Sequence, residues 1–527
     1  MHKILVTDEL SPQGMEMLAA APDVAVDVRK GLSESELAEI IAPYHGLIIR
    51  SSVKITAAVL EHAENLQVIG RAGVGVDNVD LEAASLRGVI VMNTPGANSM
   101  ATAEHTIAMM LALCRNIPQA YHSMLELKWN RKQFVGVQLY QKTVGIVGLG
   151  RIGSRVALRC RAFGMNVLAF DPYIGADAAR ELQVKLVDLE QLFAESDFIT
   201  LHTALTPETK EMINAETIAK MKDSVRLINC ARGALVNESD LAAAVRSGKI
   251  VGAALDVFST EPLPADSPLR GLPQIIFTPH LAASTVEAQR DVGTQIVSQV
   301  LGALRGGDIR NAVNMPLAEP NIVQMMRPFL KLAETIGSLQ TQLAEGRIKR
   351  IEVEFKGDLN QQVKLLTVAL LTGILSPILE ERVNYINAPH LANRRGITIS
   401  QTTGLDARNY PNLITCRAQW ETGSRLISAT LFNPDEPRIV QIDNYRMDVR
   451  PEGRIVVLES RDVPGLLGRA GTILGNAGIN IAAMRFGRTE PGGQTLTFIK
   501  VDSPVPETAI KELMDFQPVE KVLQVML

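Results

Sequence analysis

The sequence predicts an α/β protein: two doubly wound parallel-sheet lobes, then two smaller α+β domains. Three observations predict it. Short, near-continuous apolar runs recur from Lys3 to Thr278 with helix-compatible stretches between them, as parallel strands covered on both faces require. One run, Thr143–Val147, leads into Gly148-Leu149-Gly150-Arg151-Ile152-Gly153, a tight glycine turn that opens a helix. Residues 453–527 repeat the order strand, helix, strand, strand, helix, strand, a compact unit of a different kind.

The elements follow in order. In the first lobe Lys3–Val6, Val24–Val28, Leu47–Arg50, Leu66–Ile69 and Val89–Met92 read as strands, and Ser33 with Glu36 forms a capping box that starts a helix. Ala101–Leu113 reads as a crossing helix with its capped start at Ser99; Pro118 interrupts it, and a second helical stretch reaches Trp129. The second lobe has strands Val144–Val147, Val167–Phe170, a short edge at Val184–Leu186, Phe198–Leu201, Val225–Asn229, Ala253–Val257 and Ile275–Thr278. Its helices include Ile152–Phe163, Glu208–Ala219 and Glu238–Ser247. Ala282–Leu304 is a long helix that returns the chain to the first lobe. The first lobe is therefore expected to be discontinuous, 1–98 plus 285–317, with 99–284 inserted.

Pro316 and Pro320 mark the next boundary. Residues 318–452 combine a helix over 321–344, strands Arg350–Phe355, Leu413–Trp420 and Arg425–Phe432, a helix Leu365–Leu375 between them, and Ile439–Val449. His390, Arg394 and Arg395 form a possible cationic spot there. The last domain, 453–527, has strands Arg454–Glu459, Ile479–Arg485, Thr495–Val501 and Val522–Met526 with helices Leu466–Asn476 and Glu507–Met514.

Composition narrows the function. The 527 residues carry a net charge of −4, and no basic block argues for nucleic acid. Four widely spaced cysteines, Cys114, Cys160, Cys230 and Cys416, match neither a disulfide framework nor a zinc cluster, so no metal is expected. The chain starts directly on a strand, with no signal-like apolar region and no apolar 18-mer, so a cytoplasmic protein without a membrane span is the expectation.

The glycine turn carries the first piece of chemistry. Gly148 permits the turn, Gly150 lets a pyrophosphate approach the backbone, and Gly153 lets helix and strand pack closely. The helix N-terminus offers free N–H groups to the anion. Asp171 ends the next strand, 18 residues after Gly153, where a carboxylate accepts from a ribose diol and repels a 2′-phosphate. This is the fingerprint of a Rossmann lobe that takes NAD rather than NADP.

Three further groups leave neighbouring strand ends. Arg232 offers a bidentate fork to a carboxylate. His280 suits proton transfer from a carbinol, and Glu261 would hold its tautomer. His202 is placed to touch cofactor phosphate or ribose, and Asp256 to bind the nicotinamide carboxamide. From the first lobe, Arg50-Ser51-Ser52 and Arg71-Ala72-Gly73-Val74-Gly75 follow strands and could close on an anionic substrate.

Together the blocks Gly70–Asp80, Val91–Gly96, Ala103–Thr106, Gly148–Gly153, Asn229–Gly233, Ala254–Phe258 and Thr278–His280 resemble the D-isomer-specific 2-hydroxyacid dehydrogenases. The remainder resembles the intervening domain and ACT domain of their long form. The resemblance implies a flavodoxin-like substrate lobe beside the Rossmann lobe. It implies that Arg232 binds the substrate carboxylate and that His280, polarised by Glu261, is the acid/base. It places Arg50, Ser51, Gly73 and Val74 at the substrate, with Asn98 near them. It places Arg151, Ile152, Thr203, Cys230 and Ala231 at NAD, along with Arg232, Asp256 and His280. The implied reaction is oxidation of 3-phospho-D-glycerate to 3-phosphohydroxypyruvate. The alternatives are the 2-oxoglutarate/2-hydroxyglutarate and hydroxypyruvate/glycerate pairs. In the tail, Asp462 and Asn480 resemble positions that hold L-serine in feedback-regulated members. A homo-oligomer is implied, a dimer through the nucleotide lobe at the least and a tetramer by resemblance.

Overall fold

A computed structural model of the chain describes residues 1–307, 309–315, 320–404, 410–434 and 436–527. The first five strands, β1 (His2–Val6), β2 (Val24–Val28), β3 (Gly46–Ile49), β4 (Val68–Arg71) and β5 (Ile90–Met92), form an all-parallel sheet of order β2-β1-β3-β4-β5. That order puts a topological switch point between β1 and β3, where ligands of such sheets bind. The helix Val286–Leu304 packs across this sheet so closely that a Cβ on Gly70 would lie 2.5 Å from Val300. Only glycine fits that approach. Arg305 then pairs with Asp23 beside β2.

The second sheet holds β6 (Thr143–Val147), β7 (Asn166–Phe170), β8 (Lys185–Leu186), β9 (Phe198–Leu201), β10 (Val225–Asn229), β11 (Ile250–Leu255) and β12 (Ile275–Phe277). Its order is β12-β11-β10-β9-β6-β7-β8, parallel throughout. The switch point lies between β6 and β9, and every strand delivers its following loop to the same edge.

The third sheet contains β13 (Arg350–Lys356), β14 (Thr398–Gly404), β15 (Leu413–Trp420), β16 (Gly423–Leu431), β17 (Pro437–Ile442) and β18 (Tyr445–Val449), in the order β14-β13-β15-β16-β17-β18. Helices Pro320–Leu343 and Val363–Leu375 bury its inner face. The last sheet, β19 (Arg454–Arg461), β20 (Ile481–Arg488), β21 (Gln494–Val501) and β22 (Val519–Met526), is antiparallel with order β20-β21-β19-β22. Its two helices cover one face. The other face, through Ile455, Val457, Leu496, Phe498 and Val525, joins the core of the preceding domain. Buried Arg425 crosses that seam, donating to the Leu343 carbonyl at 2.9 Å and to Glu459 at 2.8 Å.

Several expectations need correction. Between Glu208 and Ala219 only Ala215–Ala219 is helical, because hydroxyl bonds between Thr206 and Thr209 fold the preceding residues into a turn. The crossing helix runs Ser99–Cys114 with no side-chain cap, and Ser99 is a buried first-turn residue. Pro118 does not break it. Asn116, at φ +52, does, and Pro118 sits in the first turn of the next helix, Ile117–Leu125, where a missing N–H costs nothing. That helix stops short of Trp129. One segment, Gly357–Ile378, is long and apolar enough to cross a membrane, contrary to the expectation of none. It is the core helix of the third domain, with Leu366, Ala369, Leu370 and Ile374 fully buried. The boundary expected between residues 317 and 318, with its Pro316, lies outside the described residues.

Candidate active site

Arg232, Glu261 and His280 leave the ends of β10, β11 and β12, three adjacent strands. The turn at Arg232 is fixed by Asn229, whose Nδ2 donates to the Arg232 carbonyl at 2.8 Å and whose Oδ1 accepts from the Ala231 N–H at 3.0 Å. Glu261 Oε1 accepts from the Phe258 N–H at 3.0 Å, which aims Oε2 at His280 Nδ1, 2.8 Å away. Partial burial would raise the Glu261 carboxyl, but its hydrogen bonds to His280 and Phe258 outweigh that and hold it below the ordinary carboxylate value. An ionised Glu261 accepts the Nδ1–H, so Nε2 keeps a lone pair for the cleft.

His280 adopts a left-handed backbone, φ +55. Its N–H donates to the Asp256 carbonyl at 2.8 Å. Asp256 is fully buried, and its carboxylate accepts from Thr278 Oγ1 (2.5 Å), the Leu281 N–H (2.8 Å) and the Ala282 N–H (3.0 Å), with His105 Nε2 3.2 Å away. Burial opposes that charge, but the donors prevail and hold its carboxyl low. Asp256 therefore fixes the loop that carries His280. No part of the Asp256 side chain reaches solvent.

The opposite wall belongs to the first lobe. A cleft of about 1310 Å³ separates the two, lined by Arg50, Ser51, Arg71, Gly73 and Val74 on one side and Arg232, Glu261 and His280 on the other. Asp8 shapes the β3 turn, accepting from the Arg50 N–H at 2.7 Å and from Ser52 Oγ at 2.5 Å. Asn78 ties the same turn by donating to the Arg50 and Val53 carbonyls. A Cβ on Gly73, at φ +151, would lie 1.6 Å from Arg71 Nη1, so glycine is what lets that guanidinium lie across the turn. Arg71 Nε is buried without a partner. Burial, then repulsion from Arg232, pushes the Arg71 guanidinium down to about 10, still charged at neutral pH. The Val74 carbonyl accepts from Asn93 Nδ2, and Asn98 Oδ1 is buried and unpaired.

Arg232 spans the cleft. Its Nε donates to Asp77 Oδ2 at 2.9 Å, and Nη1 donates to the Ala231 carbonyl at 2.7 Å. Asp77, Asp8 and Asn78 escape the sequence reading. The run from Arg71 to Asp80 contains two of them, but nothing in it says that Asp77 would meet an arginine 155 residues away.

The nucleotide cradle passes a direct test of fit. A Cβ on Gly148 (φ +93) would lie 2.7 Å from the His202 carbonyl, and one on Gly153 would lie 2.0 Å from the Gly148 carbonyl. A Cβ on Gly150 would meet nothing within 4 Å. Gly150 thus faces open space, at the start of a helix, Arg151–Ala162, whose first N–H groups have no side-chain cap. Asp171 braces the loop, accepting from the Leu149 N–H at 2.8 Å and the Tyr173 N–H at 2.9 Å, with acceptor capacity left for a diol. Arg151 is exposed at the cradle's lip and Ile152 half-buried.

His202 hydrogen-bonds Thr200 at 2.9 Å, and its Nδ1 is buried without a partner. Burial pushes its imidazole down to about 3, so it is neutral and can only hydrogen-bond. The Thr203 backbone borders Gly148. The Cys230 thiol lies in the lobe's core, pushed up to about 12 by burial, so its main chain and that of half-buried Ala231 are what border the cleft side of this turn.

Residues 107–282 match the family described as D-isomer specific 2-hydroxyacid dehydrogenase, NAD binding domain. Residues 325–443 match the D-3-phosphoglycerate dehydrogenase intervening domain, and 454–516 the ACT domain. The chain is 44% identical over 515 residues to D-3-phosphoglycerate dehydrogenase of Synechocystis sp., covering 97% of this chain and 92% of that one. It is 42% identical over 524 residues to the D-3-phosphoglycerate dehydrogenase of Methanocaldococcus jannaschii, covering 99% of each. The chain belongs to the D-3-phosphoglycerate dehydrogenase family.

As a member of the D-3-phosphoglycerate dehydrogenase family it is an NAD-dependent oxidoreductase. Among solved structures, D-lactate dehydrogenase from Aquifex aeolicus, complexed with NAD and lactic acid, is similar at 30% identity and TM-score 0.53. That likeness covers 58% of this chain and 96% of the other.

The ACT match supports an amino-acid-type effector for the tail. There Asp462 accepts from Arg488 Nη1 at 2.9 Å and from the Gly492 N–H at 3.2 Å, while Asn480 Nδ2 donates to Asp502 at 2.5 Å. The two residues stand at opposite ends of the sheet: β19 ends with Arg461 opposite Gln494, and β20 begins with Ile481 opposite Val501. A single chain does not bring Asp462 and Asn480 to one small ligand.

Proposed function

We propose that the chain oxidises 3-phospho-D-glycerate to 3-phosphohydroxypyruvate, the first step of L-serine biosynthesis, with Arg232, Glu261 and His280 as its catalytic residues. The observation that carries this reading is the Glu261–His280 pair at 2.8 Å, facing a cleft that also gathers Arg232, Arg50 and Arg71. NAD⁺ supplies the hydride acceptor. His280 Nε2 accepts the C2 hydroxyl proton, and ionised Glu261 stabilises the imidazolium that forms, a role worth about 10²–10⁴ in rate. Arg232 exchanges Asp77 for the substrate carboxylate, one anion for another, so the exchange costs little desolvation. Arg50 and Arg71 face the phosphate, with Ser51 and the main chain of Gly73 and Val74 beside them. Gly148, Gly150, Gly153 and Asp171 hold the cofactor.

The domain division we propose is 1–98 plus 285–317, 99–284, 318–452 and 453–527, in a cytoplasmic protein. Leu127, Trp129 and Val135 are 95%, 74% and 81% exposed on an arm beside the nucleotide lobe, and a second copy covers them in a homodimer. L-serine is the effector, held by Asp462 of one copy and Asn480 of another.

Arg50 and Arg71 also fit a distal carboxylate, which keeps 2-oxoglutarate as a second reading. NADH oxidation with phosphohydroxypyruvate and with 2-oxoglutarate, each with and without L-serine, tests both. Preference for phosphohydroxypyruvate with serine inhibition is expected. Preference for 2-oxoglutarate would overturn the substrate assignment, and indifference to serine would overturn the effector assignment.

A further inference from the structure

The third domain contains a pocket outside the cleft that neither the reaction nor the effector uses. Its volume is about 380 Å³, within the range of small-molecule sites. The floor is apolar: Ile348, Ile374, Ile378 and Ile397 line it. Ile348 and Ile397 are each 7% exposed and Ile374 is fully buried, whereas Ile378 is 47% exposed at the rim. An isoleucine half in water at the mouth of an apolar hole is a surface that a hydrocarbon would cover favourably.

Two cations share that mouth. Arg347 and Arg395 both line the pocket, and no acidic residue does. Arg347 Nη2 donates to the Arg395 carbonyl, which anchors its guanidinium and leaves its other N–H groups free. The Arg395 guanidinium has no hydrogen bond or ion pair among the described residues. Four other arginines of this domain are matched: Arg350 pairs with Glu352, Arg425 with Glu459, Arg438 with Glu436 and Arg450 with Glu452. An unmatched, forked cation pair above an apolar floor is complementary to one kind of molecule, a planar anion on a hydrocarbon tail.

We propose that this pocket binds a small monocarboxylate with an apolar tail, the carboxylate held by Arg347 and Arg395 and the tail by the four isoleucines. Every residue that lines the pocket belongs to the third domain, but two chain neighbours of its wall reach the last. Between its wall residues Thr341 and Ile348, Gln342 exchanges two hydrogen bonds of 2.8 Å with Met526, and Glu345 pairs with Lys521.

Tryptophan fluorescence reads the site. Trp420 is 8% exposed and packs on the pocket's Gly346, where an added Cβ would lie 3.4 Å from the indole. The chain has two tryptophans, so Trp129→Phe leaves Trp420 as the sole reporter in the full-length protein. That protein is titrated with octanoate, octanol and octylammonium as probes. A saturable change with octanoate alone is expected, weakened about tenfold or more by Arg395→Gln and by Arg347→Gln. No saturable response to octanoate, or an equal response to octanol or octylammonium, would overturn the proposal, as would an unchanged octanoate affinity in both arginine variants. If either variant fails to fold, the three-probe series on the intact arginines decides by itself.

Discussion

At the scale of single residues, the proposed proton transfer depends on which nitrogen of His280 is free. Glu261 settles that by binding Nδ1, and the Asp256 carbonyl settles where the ring stands by holding the backbone N–H. A carboxyl lowered in the folded state contributes stability that is complete above its unfolded value and is lost as pH falls through the lower folded value. For Glu261 the unfolded reference is 4.5, so the stability difference between the wild type and Glu261→Gln is expected to be present above pH 4.5 and to shrink below it. Urea unfolding of both proteins across pH 3–6 measures this, on the order of the window the linkage relation sets. A difference that grows on acidification would contradict the assigned ion pair.

At the scale of elements, two glycines three residues apart do different work. The space beside Gly153 is filled by the Gly148 carbonyl, whereas the space beside Gly150 is open. Gly150→Ala is expected to unfold within about 0.5 kcal/mol of the wild type yet bind NADH at least about tenfold more weakly, because the methyl enters the pyrophosphate's space. Gly153→Ala is expected to lose both stability and NADH affinity. Thermal melts with a fluorescence titration of NADH separate the two, and equal stability losses would sink the distinction. The strands that carry these turns were legible because buried parallel strands are continuous apolar runs, and Val144–Val147 or Phe198–Leu201 can be little else. β14 was not legible. Thr398–Gly404 is a mostly exposed polar edge strand that pairs in parallel with β13 alone, so no apolar run marks it. The cradle and the three strand-end residues were legible because each follows a strand at a recognisable turn. Asp77 and Asp8 were not, because their roles arise only when two lobes close on one cleft.

At the scale of the whole molecule, the last two domains share one apolar core and the ion pair of buried Arg425 with half-buried Glu459, so they form a single packed unit. A direct hydrogen bond joins that unit to the first lobe, from Asn384 Nδ2 to the Gly88 carbonyl at 2.7 Å. In the proposed homodimer the exposed arm around Leu127 and Trp129 is the subunit contact. Leu127→Asp is expected to reduce the oligomer to a smaller species in sedimentation velocity while leaving the far-ultraviolet circular dichroism unchanged. An unaltered sedimentation coefficient would place the subunit contact elsewhere.

The proposed mechanism makes His280 the proton acceptor beside an intact NAD cradle. The measurement that tests it most directly is phosphohydroxypyruvate reduction by His280→Ala, with NADH affinity measured on the same preparation. Turnover is expected to fall by about 10²–10⁴, with NADH binding retained. Turnover near that of the wild type would contradict the mechanism.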